Sequence, residues 1–222
     1  MNKKTQRIFA VSMTAIFALS MISAMSIQDA SADKGPKFHK KPDFTAEFDV
    51  MMMNVPEGYD GSATAKLWFD KKGEFLKYRI LIENMDISGF GDKSDDITKV
   101  HFHDSTDGNA HVLNVYKAPG QDDNDLVVKP TKGIIKGIWD DTDINTTYPD
   151  HHNWSVALSD KIEQLCSGDL FFAIHGTPVD GAPADMYLKG NIEPTKTGEK
   201  FCKKLLKHQI DDEEELEDHS DE

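Results

Sequence analysis

From Phe44 onward the chain alternates apolar and polar residues with a period of two. Phe44, Ala46, Phe48 and Val50 form one run, Ala63, Ala65, Leu67 and Phe69 a second, and Leu76, Tyr78, Ile80 and Ile82 a third. Successive side chains of a strand point to opposite faces, so each run predicts a strand with one buried face. Between the second and third, Asp70-Lys71-Lys72-Gly73 is a compact turn closed by glycine, which predicts a hairpin. Further strands are predicted at 97–103, 111–117, 131–139, 169–175 and 185–193. A short helix fits 158–166, with Ser159 or Asp160 as cap and Gly168 at its end. Residues 118–130 and 140–153 read as long acidic loops. Many short strands between Gly, Pro and Asp turns predict an all-β sandwich or barrel.

The two ends follow other patterns. Lys3, Lys4 and Arg7 precede an apolar stretch from Ile8 to about Ile27, and Ala30-Ser31-Ala32 supplies a small-residue cleavage site. That order reads as a secretory signal peptide over 1–32, the alternative being an uncleaved anchor. No later segment is apolar enough to span a membrane, so the released chain is expected in a secreted or extracytoplasmic location. Residues 33–42 read as a flexible lead-in and 43–194 as the folded domain. Residues 195–210 hold a short amphipathic helix, with Phe201, Leu205 and Leu206 on a shared side at about 199–210. The remaining 211–222 carry nine carboxylates in twelve residues, whose mutual repulsion predicts a disordered acidic tail.

Charge narrows the partners. The net charge is −14, and removing residues 1–32 leaves 22 basic and 38 acidic residues. Such a chain repels phosphate backbones, and Arg7 and Arg79 are its only arginines, so nucleic acid is excluded as a partner. Cys166 and Cys202 are the only cysteines. In an oxidising compartment an even pair predicts a disulfide, with two buried thiols as the alternative.

The stretch with the most chemistry is Val100-His101-Phe102-His103-Asp104. On a strand, His101 and His103 share a face, a spacing that suits one transition-metal ion. His111 begins another predicted strand and His175 ends a third, so strand ends brought together would gather up to four imidazoles around copper or zinc. Asp104 and Asp107 are candidates to orient ring nitrogens. His151-His152 is a further ligand source or a solvated loop pair, Met51-Met52-Met53 a soft ligand set or core packing, and Asn145 and Asn153 lie in glycosylation sequons.

Several pieces in order resemble the CHRD domain, the module named after chordin. They are Phe44-Thr45-Ala46 with Val55-Pro56, the 61–69 and 76–82 strands, and V-H-F-H at 100–103 with Gly108 after it. The 165–175 run LCSGDLFFAIH and the closing strand YLKGNI at 187–192 complete the set. The family's closing arginine is Lys189 here. The resemblance implies a Greek-key sandwich, immunoglobulin-like or superoxide-dismutase-like, without implying an enzyme. The placement of His101, His103 and His175 is also similar to that of copper-zinc superoxide dismutases, but their zinc loop and active-site arginine have no clear counterpart.

Two functions fit this reading. One is a non-catalytic extracytoplasmic module that binds a protein, a glycan or an envelope component through its loops. The other is a copper or zinc protein for storage, delivery or superoxide-dismutase-like chemistry, with His101, His103 and His175 as ligands and no catalytic residue assigned.

Overall fold

A computed structural model describes residues 36–51, 55, 58–89, 95–118, 125–145, 155–177 and 186–217, with the side chains of the last helix described up to Lys207. Residues 1–32, read above as a signal peptide, together with Met52 and Met53, His151 and His152, and Asn153, lie outside the described residues.

The alternating runs form strands as expected. In chain order these are β1 (Phe44–Glu47), β2 (Asp49–Val50), β3 (Ser62–Phe69), β4 (Leu76–Glu83), β5 (Ile97–Asp104) and β6 (Ala110–Tyr116). They continue as β7 (Val127–Lys129), β8 (Ile134–Trp139), β9 (Leu170–Gly176), β10 (Met186–Asn191) and β11 (Glu193–Pro194). β3 and β4 pair as the predicted hairpin. Asp70 Oδ1 accepts the backbone N–H groups of Gly73, Glu74 and Phe75 at 2.9, 2.8 and 3.2 Å. Gly73 sits at φ 86°, a left-handed position that costs glycine little.

The strands build two antiparallel sheets, ordered β11-β1-β3-β4-β8-β7 and β2-β10-β9-β5-β6. The chain crosses between sheets from β4 to β5 and again from β8 to β9, while β4 pairs with β8 and β5 with β9. That interlock is a Greek key, with the strand orders of an immunoglobulin-like sandwich. The core between the sheets includes Phe44, Leu67, Phe69, Tyr78 and Ile80 from one side and Phe102, Phe172, Ile174 and Leu188 from the other. Phe102 is central, with ring centroids 5.6 Å from Tyr78, 5.6 Å from Trp139 and 4.0 Å from Phe172.

Several details depart from the sequence reading. β7 lies in the stretch expected as an acidic loop; it is a three-residue edge strand whose ends are exposed, too short to show alternation. A 3-10 turn (Pro130–Lys132) then separates β7 from β8. The short helix α1 (Ile162–Ser167) follows a 3-10 turn at Ser159–Lys161 and ends at Gly168, but neither Ser159 nor Asp160 caps it: its N-cap is Lys161, without a side-chain cap bond. The second helix, α2 (Lys196–Glu217), runs through 211–217, which charge repulsion had predicted to be extended. Glutamate and leucine are good helix formers, and here propagation from an anchored first half outweighs the repulsion. Part of the expected lead-in is engaged. Phe38 bridges Asp70, the His39 N–H bonds the Phe69 carbonyl at 2.9 Å, and His39 Nδ1 lies 3.0 Å from the buried Asp43 carboxylate.

Cys166 of α1 and Cys202 of α2 are joined by a disulfide, with Cα atoms 5.7 Å apart. The bond fastens α2 to the end of the sandwich where Phe201 packs edge-on to His39 and against Phe69. No helix among the described residues is long and apolar enough to cross a membrane. The disulfide fits an oxidising, extracytoplasmic setting.

Candidate metal centre

The site grows from the pleat of β5. Because Phe102 points into the core, His101 and His103 point to the outer face of the five-stranded sheet, as period two requires. A solvated outer face would leave them wet, yet His101 is 1% exposed and His103 7%.

β6 and β9 flank β5 and supply the surroundings. Two register shifts between β5 and β6 set His111 opposite His103 and Asn114 opposite His101. His111 and Asn114 are three residues apart, so a regular strand would send them to opposite faces; the bulge brings both to the histidine face. On the other side, Ala173 faces His101 and Phe171 faces His103. The small alanine leaves room beside His101, while the Phe171 ring stacks on His103 at 4.9 Å and 7°. Lys189 of β10 places its ammonium 4.1 Å from the Phe171 ring centroid.

The result is a cluster centred on His101. Its ring centroid lies 4.0 Å from that of His111, 4.9 Å from His175 and 5.4 Å from His103, while His103 and His111 are 4.5 Å apart. One ligand nitrogen from each of His101, His103 and His111 falls within 4.8 Å of the other two, so these three could hold a metal ion. His175 approaches through His101, and its Nε2 is buried. Among the four candidate histidines, the tightest set is therefore His101, His103 and His111, with His175 beside it.

Hydrogen bonds fix which nitrogen each ring offers. His103 Nδ1 lies 2.7 Å from the backbone carbonyl of Asn109, an atom that can only accept, so Nδ1 carries the proton. Asn109 reaches that position because it and Gly108 turn back the chain at φ 62° and 57°. His101 and His111 both donate from Nδ1 to one atom, Asn114 Oδ1, at 3.2 and 3.0 Å. With Nδ1 protonated in all three, the lone pairs reside on Nε2, and the rings are held by the outer contacts that ligating histidines use. Asn114 is in turn tied down, its backbone N–H bonding Ser155 Oγ at 3.0 Å.

Burial pushes the pKa of His101 well below its ordinary value, and the facing His111, His175 and His103 push it further down against a weaker opposing effect of Asn114. A neutral imidazole is the form that binds a metal. The carboxylates expected to orient the rings do something else. Asp104 accepts from Thr106 N–H and Oγ1 at 2.8 and 2.6 Å and pairs with Lys161 at 2.8 Å. Burial raises its pKa, but the bonds from Lys161 and Thr106 outweigh that and hold it below the usual value. Asp107 sits exposed in the β5–β6 turn, its carbonyl accepting the Ala110 N–H. The orienting groups are instead a neutral amide and a backbone carbonyl. Sequence offered no signal for Asn114, because only the bulge places it on the histidine face.

No family model matches this chain, and neither does any curated protein or solved structure.

Proposed function

We propose that the chain is an exported copper-binding protein that holds one ion on His101, His103 and His111, with His175 as a fourth donor. The observation that carries this reading is the convergence of His101, His103 and His111, each of which brings one ring nitrogen within 4.8 Å of the other two. Buried imidazoles gathered around one point repel as cations and gain little from one another when neutral, so the arrangement is best understood as ligands in waiting. An all-imidazole set suits copper or zinc, and copper(II) stands highest in the divalent affinity order. Outside the cell, where the disulfide is stable, cytosolic thiols do not compete for copper.

The role that follows is storage or delivery by a non-catalytic module. A CHRD-type domain is part of the same proposal, since that resemblance rests on the V-H-F-H run of β5 and the late histidine of β9.

The test is metal content per chain after loading the purified protein with Cu²⁺ or Zn²⁺ and desalting. One ion per chain is expected, with loss in His101→Ala, His103→Ala and His111→Ala and weaker retention in His175→Ala. Unchanged stoichiometry in all four variants would sink the site and assign the ion to the acidic segment. Zinc retained in preference to copper would reassign the metal, and dismutation by the loaded protein would replace storage with catalysis.

A further inference from the structure

The outer face of the six-stranded sheet gathers positive charge in a chain that is otherwise acidic. Register sets Lys66 of β3 opposite Arg79 of β4, and Arg79 opposite Lys136 of β8, and all three are exposed. Adjacent strands lie ~4.8 Å apart, so the three cations form a straight row of roughly 10 Å across the strands. None of the three makes an ion pair among the described residues. Glu47 and Glu83 share this face toward the other end of the strands, and neither pairs with the row.

Like charges set directly opposite one another on a sheet are destabilising. The chain holds 39 acidic residues against 25 basic ones, so composition alone would set carboxylates between these cations. Arg79 is one of only two arginines in the sequence, and its planar fork can hold an oxyanion with two parallel bonds, as a lysine cannot. An anion from outside the fold relieves the repulsion along the whole row.

An aromatic edge flanks the row. Lys77 places its ammonium 4.6 Å from the ring centroid of Phe38 and 4.7 Å from that of Trp68. Burial lowers the pKa of Lys77 and the nearby Lys136 lowers it further, so the cations of this face act on one another. Both aromatic rings are half-buried, and of the exposed large hydrophobics only Val127, at the sheet edge, belongs to this sheet. A bilayer surface needs apolar side chains that reach into it, so a flat row of cations fits a linear polyanion better than a membrane.

We propose that this face is a docking surface for a linear acidic polysaccharide, whose anionic groups meet Lys66, Arg79 and Lys136 while its sugar rings lie along Trp68 and Phe38. The net charge of −14 repels a polyanion at long range, but at physiological salt that repulsion is screened beyond ~8 Å, and contacts on the row are closer than that. A polysaccharide is also less densely charged than a nucleic acid duplex, with its one charge per ~1.7 Å, and meets less of the repulsion. The surface is independent of the histidine cluster, which lies on the other sheet.

The test is binding of labelled polygalacturonate to the purified full chain at about 50 mM and about 500 mM salt, with neutral dextran as control. Saturable binding that weakens at the higher salt is expected, with none to dextran. Arg79→Ala should weaken it roughly fivefold, the upper range for one exposed ion pair. Arg79→Glu should weaken it further yet raise the urea midpoint, because it turns two like-charged cross-strand pairs into opposite ones. Lost affinity in that variant is then distinct from lost folding. No binding at the lower salt, binding unchanged in Arg79→Glu, or equal binding of dextran would each overturn the proposal. So would binding to anionic lipid vesicles or to polyglutamate as tight as that to polygalacturonate, which would make the face a membrane or protein contact.

Discussion

The two sheets of this sandwich treat their outer faces differently. In the six-stranded sheet, β3 and β4 alternate strictly between buried and open positions, so one face meets the core and the other meets water. In the five-stranded sheet, β5 is buried from Val100 to Asp104 and β9 from Leu170 to Ile174, on both faces. The first pattern is what an antiparallel sheet needs for stability. The second covers polar side chains that water would have solvated at no cost. A dry face made of His101, His103 and Asn114 is expensive as structure alone, since buried polar groups contribute only when fully bonded. It is where this fold gives up stability, and it is the face on which the proposed metal site lies.

The contrast breaks most sharply on the core side. Phe102→Ala removes the ring that touches Tyr78, Trp139 and Phe172, and a buried phenylalanine truncated in this way costs ~3–5 kcal/mol. Urea denaturation should show that loss with and without metal. A comparable loss for His101→Ala in metal-free protein would mean that the outer face is ordinary core, and the comparison would fail.

The next effect belongs to the outer face alone. Copper at a hundredfold excess over its Kd should stabilise the protein by about 2.7 kcal/mol, because only the folded state holds the site together. Thermal unfolding with and without Cu²⁺ measures this, and His101→Ala should abolish the difference. A shift of equal size in that variant would place the metal elsewhere.

How much of this contrast the sequence displays depends on the face in question. Alternation in 62–69 and 76–83 marked the six-stranded sheet because those strands have one wet side. The shared face of His101 and His103 was legible for the same geometric reason. The convergence with His111 was not, because the register shifts that align β6 leave no trace in period two, and Asn114 was invisible for that cause. β7 escaped because Val127 and Lys129 are both exposed at a sheet edge. The full length of α2 escaped because local charge repulsion argues against a helix that its anchored first half sustains.

Asn114 offers a finer test. Removing the acceptor that holds His101 and His111 in one tautomer should weaken metal binding roughly 10–100-fold, the usual cost of losing an orienting partner. Asn114→Leu should show that loss in a copper titration, whereas Asn114→Asp keeps an acceptor and should recover most of the affinity. Equal weakening in both variants would reduce Asn114 to a packing role.

The smallest effect is a pH dependence, and its sign follows from burial. His101 is held neutral in the folded protein well below the ordinary histidine pKa of about 6.5, whereas the unfolded chain protonates near that value. Above pH 6.5 neither state carries the proton, and stability is unaffected. As pH falls below 6.5 the unfolded state takes up a proton that the folded state refuses, so stability declines until the depressed folded pKa is passed. Asp104 adds a loss of its own only at lower pH, because its unfolded carboxyl titrates near 3.8 and its folded form lower still. The two windows are therefore separable. Metal-free protein should have a lower urea midpoint at about pH 5 than at about pH 7.5, and His101→Phe should flatten that slope. A slope unchanged by the substitution would show that the dry histidine face does not set the acid sensitivity of the fold, and that its neutrality comes at no cost to stability.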